Sequence, residues 1–258
     1  MNLQNIDQRI KGRYQTLLAQ VLFKRSVKMN NAVPYISFTF DDFPRSALHR
    51  GGDILLRFGL RGTYYASFGH IGEASASGLS FTREDVATLI AQGHELGCHT
   101  FDHCHSRETR PDAFEASILK NRQALDELMP GASFKSFSYP IVGPLADTKR
   151  RAGKYFRSCR CGGQTYNAKK TDLNLLKAFF MEKSKGNPSV IRDVIENNRR
   201  SRGWLIFATH DIDENPTPYG CTPAFFEDIV RYSVDSGARI LPVDEALDNI
   251  CKDSSIRQ

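Results

Sequence analysis

Three segments of the sequence end in side chains that could bind a metal ion and move a proton. Asp41 and Asp42 follow one short β-rich run directly, and His210 follows another. His99 and His103 lie four residues apart at the end of a third run. Two imidazoles and one carboxylate form a ligand set that suits a catalytic Zn²⁺ or a similar divalent ion with open positions. These spacings predict a metal centre with an additional acid or base beside it.

The adjacent aspartates can divide the chemistry between them. Where a strand turns into a loop, both side chains can reach one cleft, so one carboxylate can bind the metal while the other accepts a proton. Turn formation or helix capping is the structural alternative for this pair. Two histidines four residues apart are weak evidence alone, but the upstream Asp-Asp pair at a strand end favours the ligand interpretation.

The elements that must position these residues follow from the apolar spacing. Short β-rich runs are predicted over residues 35–40, 62–68, 95–99, 133–139, 177–181, 204–209 and 239–243. Segments with helical spacing are predicted over residues 47–58, 83–92, 113–129, 189–201 and 223–236. This alternation predicts an α/β fold with a mainly parallel sheet, either doubly wound or closed into a barrel. Polar residues at the carboxyl ends of such strands are where ligands bind.

The charge of the chain is concentrated at its start. The 258 residues carry a formal net charge of +6, and residues 1–30 hold six Lys and Arg against one Asp. The remaining domain is therefore almost neutral, and we predict no nucleic-acid partner. No apolar run approaches the roughly 20 residues needed to cross a bilayer.

Residues 1–30 are predicted to form a basic helical arm, followed by one catalytic domain over residues 31–258. Ile10, Leu17, Leu18 and Val21 can share one helical face, together with Leu22. Such a helix either packs on the domain or docks onto anionic lipid or a membrane-bound partner. The segment lacks the uninterrupted apolar region of a secretory signal, and the six cysteines include no CxxC pair. We therefore predict free thiols and a cytoplasmic protein with peripheral membrane contact; the oligomeric state stays open.

The motifs together resemble those of the polysaccharide deacetylase family, also called the NodB homology domain or carbohydrate esterase family 4. The resemblance rests on Thr39-Phe40-Asp41-Asp42, on residues 93–103, and on the strand that ends at His210. It extends over about residues 34–245. It implies a distorted (β/α) barrel of about seven parallel strands and metal-dependent removal of acetyl groups from sugars.

The resemblance also implies a role for each matching residue. It makes Asp41 the general base and His210 the general acid. It makes Asp42, His99 and His103 the ligands of a divalent metal, with Zn²⁺ favoured. Thr100 then occupies a position that supports the loop between the two histidines.

The third family motif departs from its usual form, Arg-x-Pro-Tyr. Residues 138–141 read Ser-Tyr-Pro-Ile, so the arginine that orients the base is missing. Arg157 or Arg160, expected in the next loop, could supply a guanidinium; Arg160 is favoured, and surface charge is the alternative for both. The backbone N–H of Ile141 is the implied oxyanion donor, and Tyr139 is a candidate sugar contact. No acidic residue is clearly matched to the one that tunes the acid histidine; the candidates are Asp172, Asp211 and Asp213.

These observations predict a metal-dependent hydrolase that removes acetyl groups, with N-acetyl favoured, from a carbohydrate. An intracellular intermediate of surface polysaccharide biosynthesis is the expected substrate. Two alternatives remain: a cytosolic hydrolase of small C–N substrates such as cyclic ureides, and a sugar-binding relative without activity. The missing arginine leaves room for the first alternative, whereas the retained base, ligands and acid argue against the second.

Overall fold

A computed structural model describes the backbone of residues 3–256 and the side chains of residues 12–253. The strands are β1 Ser26–Lys28, β2 Tyr35–Phe40, β3 Thr63–Ala66, β4 Ala74–Ser75, β5 Gly78–Leu79, β6 Glu95–Cys98, β7 Ser136–Ser138, β8 Ser158–Gly162, β9 Lys170–Asp172, β10 Leu176–Phe180, β11 Trp204–Thr209 and β12 Arg239–Ile240. The α-helices are α1 Leu3–Val21, α2 Asp53–Arg57, α3 Arg83–Ala91, α4 Pro111–Leu128, α5 Ala146–Ala152, α6 Pro188–Ser201, α7 Pro223–Asp235 and α8 Val243–Ile256. A π-helical segment, Ala47–Gly52, precedes α2, and short 3₁₀ turns cover Phe68–His70 and Met181–Ser184.

Seven parallel strands close into a barrel in the order β2, β3, β6, β7, β8, β10, β11 and back to β2. β11 pairs with β2 along its whole length. At the other edge of β2, β12 pairs with its first two residues and β3 with its last two. This shared edge distorts the barrel. The structure thus confirms the predicted single-domain (β/α) barrel of about seven parallel strands.

Two predicted strand assignments need correction. The run at 239–243 forms only the short β12 beside β2, and β8 takes its place in the ring, although no strand was predicted there. The sequence of β8, Ser-Cys-Arg-Cys-Gly, contains no β-branched or aromatic residue, and one of its buried side chains is the charged Arg160. Arg160 therefore lies in a barrel strand and not in the loop predicted for it. Helices α5 and α8 also escaped prediction.

The predicted helix over 47–58 consists of two parts. Its first part is π-helical and presses its backbone onto the barrel at Gly51 and Gly52. A Cβ atom on Gly51 would lie 2.9 Å from Ile212, and one on Gly52 would lie 3.0 Å from the Tyr64 hydroxyl. A larger residue at either position would have to displace these side chains, so the two glycines let this segment pack closely on the barrel.

The core is built from the buried faces of the barrel strands and the helices outside them. Phe40 stacks on Tyr64 at 4.5 Å between ring centroids, and Phe43 stacks on Phe81 at 4.7 Å. Helix α3 begins with a capping box between Thr82 and Asp85, in agreement with the predicted helix entry there. Aromatic packing directly under the loop after β2 holds Asp41 and Asp42 at the carboxyl end of the barrel.

The N-terminal helix α1 packs on the barrel by a face other than the predicted one. Leu17 and Val21 are 55% and 51% exposed, whereas Ala19 is buried. Helix α1 packs against helix α5 of the barrel's outer layer, and Ala19 is the one buried residue in the part of α1 whose side chains are described. The side chain of Ile10, part of the predicted face, lies outside the described residues. No helix within residues 3–256 is long and apolar enough to cross a membrane.

Candidate active site

The carboxyl ends of three barrel strands bring the predicted site residues into one cavity of about 590 Å³. Asp41 and Asp42 follow β2, His99 follows β6, and His210 follows β11. His103 reaches the same cavity from the loop after β6. The five residues implied as base, metal ligands and acid therefore line a single space, although they are up to 169 positions apart in the sequence.

Asp42, His99 and His103 form a compact set of ligand atoms. Asp42 Oδ1 lies 3.5 Å from His99 Nε2 and 3.1 Å from His103 Nε2. One ligand atom from each residue lies within 4.8 Å of the others. Asp42 Oδ1 is buried and accepts no well-aligned hydrogen bond from the described residues. A carboxylate oxygen left without a donor beside two imidazole nitrogens fits a divalent ion with room for further ligands.

The protonation and orientation of these groups favour metal binding. Burial lowers the pKa of His99 to about 4, so its imidazole is neutral near pH 7. Its Nδ1 lies 2.9 Å from the Ser138 carbonyl oxygen, and an N–H there leaves the lone pair on Nε2. Burial opposes ionisation of Asp42, but the neighbouring His103 imidazole and the other charges nearby lower its pKa well below the usual range. Asp42 and His99 are therefore in the protonation states that metal binding requires. Burial opposes protonation of His103, but its contact with Asp42 outweighs burial and raises its pKa, so His103 would release a proton when an ion binds.

Asp41 is buried and forms an ion pair with Arg160 Nη2. Burial alone would raise the pKa of Asp41, but the charge of Arg160 outweighs it and keeps the pKa below its usual value. The guanidinium of Arg160 lies 4.7 Å from the centroid of the Tyr65 ring. Arg157 instead lies at the surface and pairs with Asp244 at 2.6 Å. Of the two predicted arginines, only Arg160 reaches the site.

His210 lies on the opposite side of the Asp42 carboxylate from the two ligand histidines. Its Nε2 is 4.0 Å from Asp42 Oδ2, and its Nδ1 is 3.3 Å from the Tyr219 carbonyl oxygen. A proton on Nδ1 can be donated to that carbonyl, which leaves Nε2 directed toward the cavity. This arrangement allows His210 to carry a proton between solvent and a group bound near Asp42.

None of the three carboxylates predicted as partners forms a hydrogen bond with His210. Asp172 pairs with Lys149, Asp211 accepts from the backbone and hydroxyl of a nearby threonine, and Asp213 pairs with Arg50. Glu182, in the 3₁₀ turn after β10, lines the same cavity as His210. Its Oε2 is buried without a hydrogen-bond donor among the described residues, and burial raises its pKa. Nothing in the local sequence distinguishes Glu182 from a surface residue.

A family profile described as polysaccharide deacetylase matches residues 28–155 of this sequence. The chain belongs to the polysaccharide deacetylase family. The match includes the Asp-Asp pair after β2 and both ligand histidines, and helix α1 precedes it. Among curated protein sequences none matches the chain.

Solved structures of deacetylase-like barrels share the fold at low sequence identity. A family 4 acetyl xylan esterase from Clostridium thermocellum, in complex with a cobalt ion, is 19% identical with a TM-score of 0.57, covering 82% of this chain and 89% of that one. A mutant peptidoglycan deacetylase from Bacillus subtilis is 15% identical with a TM-score of 0.59, covering 88% and 95%. A pseudoenzyme of the same family from Bacillus anthracis is 10% identical with a TM-score of 0.59, covering 84% and 66%. Since the fold occurs with and without activity, the site residues must carry the functional argument.

The remaining predicted residues of the deacetylase site differ in their surroundings. Thr100 is buried, and its hydroxyl accepts the Cys104 N–H at 3.0 Å within the loop between the two histidines. Ile141 is 60% exposed at the cavity with a φ of +68°. Tyr139 also lines the cavity, but its ring packs against Phe137 and its hydroxyl lies 3.2 Å from a backbone carbonyl oxygen. Tyr139 is thus committed mainly to the barrel wall.

The candidate site also contains strained backbone and a hydrogen bond that was not predicted from the sequence. Asp42, Thr100 and His103 all have positive φ angles, of +60°, +62° and +48°. Such conformations cost energy and cluster at functional sites. Ser77, buried in the hairpin formed by β4 and β5, donates to Asp42 Oδ2 at 2.6 Å. The sequence offered only a weak signal for Ser77, namely the long small-residue loop over residues 69–80.

Proposed function

We propose that this member of the polysaccharide deacetylase family is a metal-dependent hydrolase that removes acetyl groups, N-acetyl groups in particular, from a carbohydrate. The convergence of the Asp42, His99 and His103 ligand atoms beside the ion-paired Asp41 carries this proposal. A sugar-binding protein has no need of a second buried carboxylate next to a ligand set. The arrangement instead provides a set of metal ligands with a carboxylate base beside it, and metal-assisted hydrolysis requires both.

Asp42, His99 and His103 would hold a divalent ion, with Zn²⁺ favoured by the two nitrogens and one oxygen. A bound ion of this kind supplies Lewis-acid polarisation of the acetyl carbonyl and lowers the pKa of water to about 7. The rest of the chemistry belongs to side chains that the barrel holds in place.

Asp41 is the proposed general base. Its pairing with Arg160 keeps the carboxylate ionised and directs it, so that it can take a proton from the attacking water. His210 is the proposed general acid and donates a proton to the leaving nitrogen or oxygen of the sugar. The backbone N–H of Ile141, at the wall of the cavity, is the proposed donor to the oxyanion.

The proposed location is the cytoplasm, with contact to a membrane through the arm of residues 1–30. All six cysteines are free thiols, which is typical of a reducing compartment. Helix α1 exposes Tyr14, Leu17 and Val21 on its outer face, and the exposed Arg13 and Lys24 flank them. Apolar side chains with basic neighbours favour binding at an anionic lipid surface. The catalytic unit is proposed to comprise residues 31–258, and the substrate an intermediate of surface polysaccharide synthesis.

The decisive experiment measures acetate released from N-acetylated and O-acetylated oligosaccharides by purified protein of known metal content. We expect release that is lost on chelation, restored by Zn²⁺ or another divalent ion, and reduced about 10²–10⁴-fold by Asp41→Asn. Metal-independent hydrolysis of a cyclic ureide would favour the small-substrate alternative. Saccharide binding without acetate release by metal-loaded protein would show a binding protein and contradict the proposal.

A further inference from the structure

We infer that helix α1 is a specificity element that closes one side of the catalytic cavity, so that the enzyme acts on short acetylated saccharides or on the free end of a chain. This inference rests on the proposed function and adds the class of substrate. Helix α1 precedes the region matched by the family profile, residues 28–155, so it is an addition of this chain to the matched segment.

Helix α1 forms part of the wall of the cavity that contains the catalytic residues. Thr16, Ala19 and Gln20 line the same 590 Å³ space as Asp41 and Asp42. These three residues recur at the spacing that places side chains on one face of a helix. Leu17, on the outer side of α1, does not line the cavity and is exposed. One face of the helix therefore meets substrate space while another faces solvent.

Specific polar contacts hold α1 against the rim. Arg107 donates from Nη2 to Thr16 Oγ1 at 2.7 Å and from Nε to the Gly143 carbonyl at 2.8 Å. Gly143 belongs to the loop after β7, which also lines the cavity. Arg107 thus joins the helix to another part of the cavity wall.

A buried lysine fixes the end of the helix. Lys149, fully buried in α5, donates from Nζ to the carbonyl oxygens of Ala19 and Leu22, each at 2.7 Å. The same ammonium lies 2.5 Å from Asp172 Oδ2. Displacing α1 would leave this buried charge without its carbonyl partners, which is costly. The helix is therefore a fixed part of the wall.

The other walls of the cavity come from several loops at the carboxyl end of the barrel. The hairpin at Ala76 and Ser77, the loop over residues 141–144, the turn after β10, and Tyr219 all border the same space. Its volume of about 590 Å³ falls within the usual range of small-molecule sites, about 300–1,000 Å³. A long chain bound at an internal unit must leave the site in two directions, and α1 occupies one side of the rim. A terminal sugar or a short saccharide needs only one exit.

The first test maps which sugar loses its acetyl group. Wild-type enzyme loaded with Zn²⁺ is incubated with N-acetylglucosamine oligomers of one to six units, and the products are sequenced by tandem mass spectrometry. We expect deacetylation at one terminal unit only, with no increase in kcat/KM as the oligomer lengthens. Deacetylation spread over internal units, or a steady rise in kcat/KM with length, would overturn the inference.

The second test compares two tryptophan substitutions on the same helix. Gln20→Trp narrows the cavity, whereas Leu17→Trp adds the same side chain to the outer face. We expect Gln20→Trp to raise KM for the disaccharide about tenfold or more with kcat changed less than about twofold. Leu17→Trp is expected to leave both constants unchanged, and thermal unfolding verifies that each variant is folded.

Equal kinetic effects of the two substitutions would refute the role of α1. A wild-type enzyme that releases no acetate from any acetylated saccharide would instead refute the proposed function. The two outcomes can be told apart. Equal kinetic effects can be measured only if the wild type is active, whereas failure of the proposed function means that the wild type has no activity.

Discussion

Replacing Arg160 by methionine tests whether this residue holds the catalytic carboxylate. Arg160 lies in β8 directly beside Ser138 of β7, and its guanidinium pairs with Asp41 inside the barrel. Methionine keeps an unbranched apolar stem that can pack beside Tyr65, although it is shorter than arginine, and it removes the charge. The substitution therefore leaves the Asp41 carboxylate buried without its partner.

The expected loss of stability follows from the burial of the ion pair between Asp41 and Arg160. Removing one partner of a buried ion pair destabilises a protein by about 3–5 kcal/mol. In an Asp41→Asn background no carboxylate charge is left unpaired, and the same substitution at Arg160 is expected to cost about 2 kcal/mol or less. The resulting coupling energy between the two positions is about 1–3 kcal/mol.

The coupling energy is obtained from urea unfolding of the wild type, the two single variants and the double variant, all treated with a chelator. Arg160→Lys, which keeps the charge but loses the planar guanidinium, is the matched control and should fall between wild type and Arg160→Met. In the metal-loaded enzyme, misplacement of Asp41 is expected to lower kcat about 10²-fold. Equal destabilisation by Arg160→Met in both backgrounds would show that Arg160 acts through packing on Tyr65 and would refute the reasoning.

Three further predictions concern other parts of the molecule. Ser77→Ala is expected to weaken Zn²⁺ binding about 10–100-fold in a competition titration, because Asp42 loses the donor to its Oδ2. Ser201→Ala, at an exposed serine of α6 that does not line the cavity, is the control, and equal affinities of the two variants would contradict this role. His94 accepts the Gly62 N–H at 3.0 Å, and burial lowers its pKa from 6.5 to about 4. The unfolded chain therefore binds a proton at this histidine more tightly than the folded chain does. The free energy of unfolding should fall by about 3 kcal/mol as the pH drops from 6.5 to 4. His94→Gln should flatten this pH dependence in urea unfolding. Leu17→Glu should reduce co-sedimentation with vesicles rich in phosphatidylglycerol, whereas Leu119→Glu on α4, also exposed, should leave it unchanged.

The sequence was sufficient to predict the barrel and the convergence of three candidate metal ligands, because both depend on local patterns. The alternation of β-rich and helical segments predicts parallel strands, and carboxyl ends of parallel strands meet on one side of a barrel. Asp42, His99 and His103 each stand directly at or shortly after such an end. Their proximity therefore follows once the strands are known, and the structure places their ligand atoms within 4.8 Å of one another.

Charged residues inside the barrel were harder to predict. Arg160 lies in β8, which contains no β-branched or aromatic residue, so the strand was missed and Arg160 was expected in a loop. Its ion pair with Asp41 spans 119 positions and depends on the pairing of β8 with β7. Glu182 and Ser77 were missed for a related reason: each lies in a short turn whose sequence carries no pattern, and only the fold brings it to the cavity.

For this chain, residue type and spacing alone determined the fold class, the family and the set of groups that could bind a metal and transfer protons. Only the tertiary structure decided which arginine reaches Asp41 and which serine donates to Asp42. It also decided that the face of α1 with Thr16, Ala19 and Gln20 borders the cavity while the larger apolar side chains point outward. The physical reason is that periodicity reports the environment of one element at a time. Partners across strands, and the choice between two faces of a helix, depend on distances and burial that arise only when distant segments pack together.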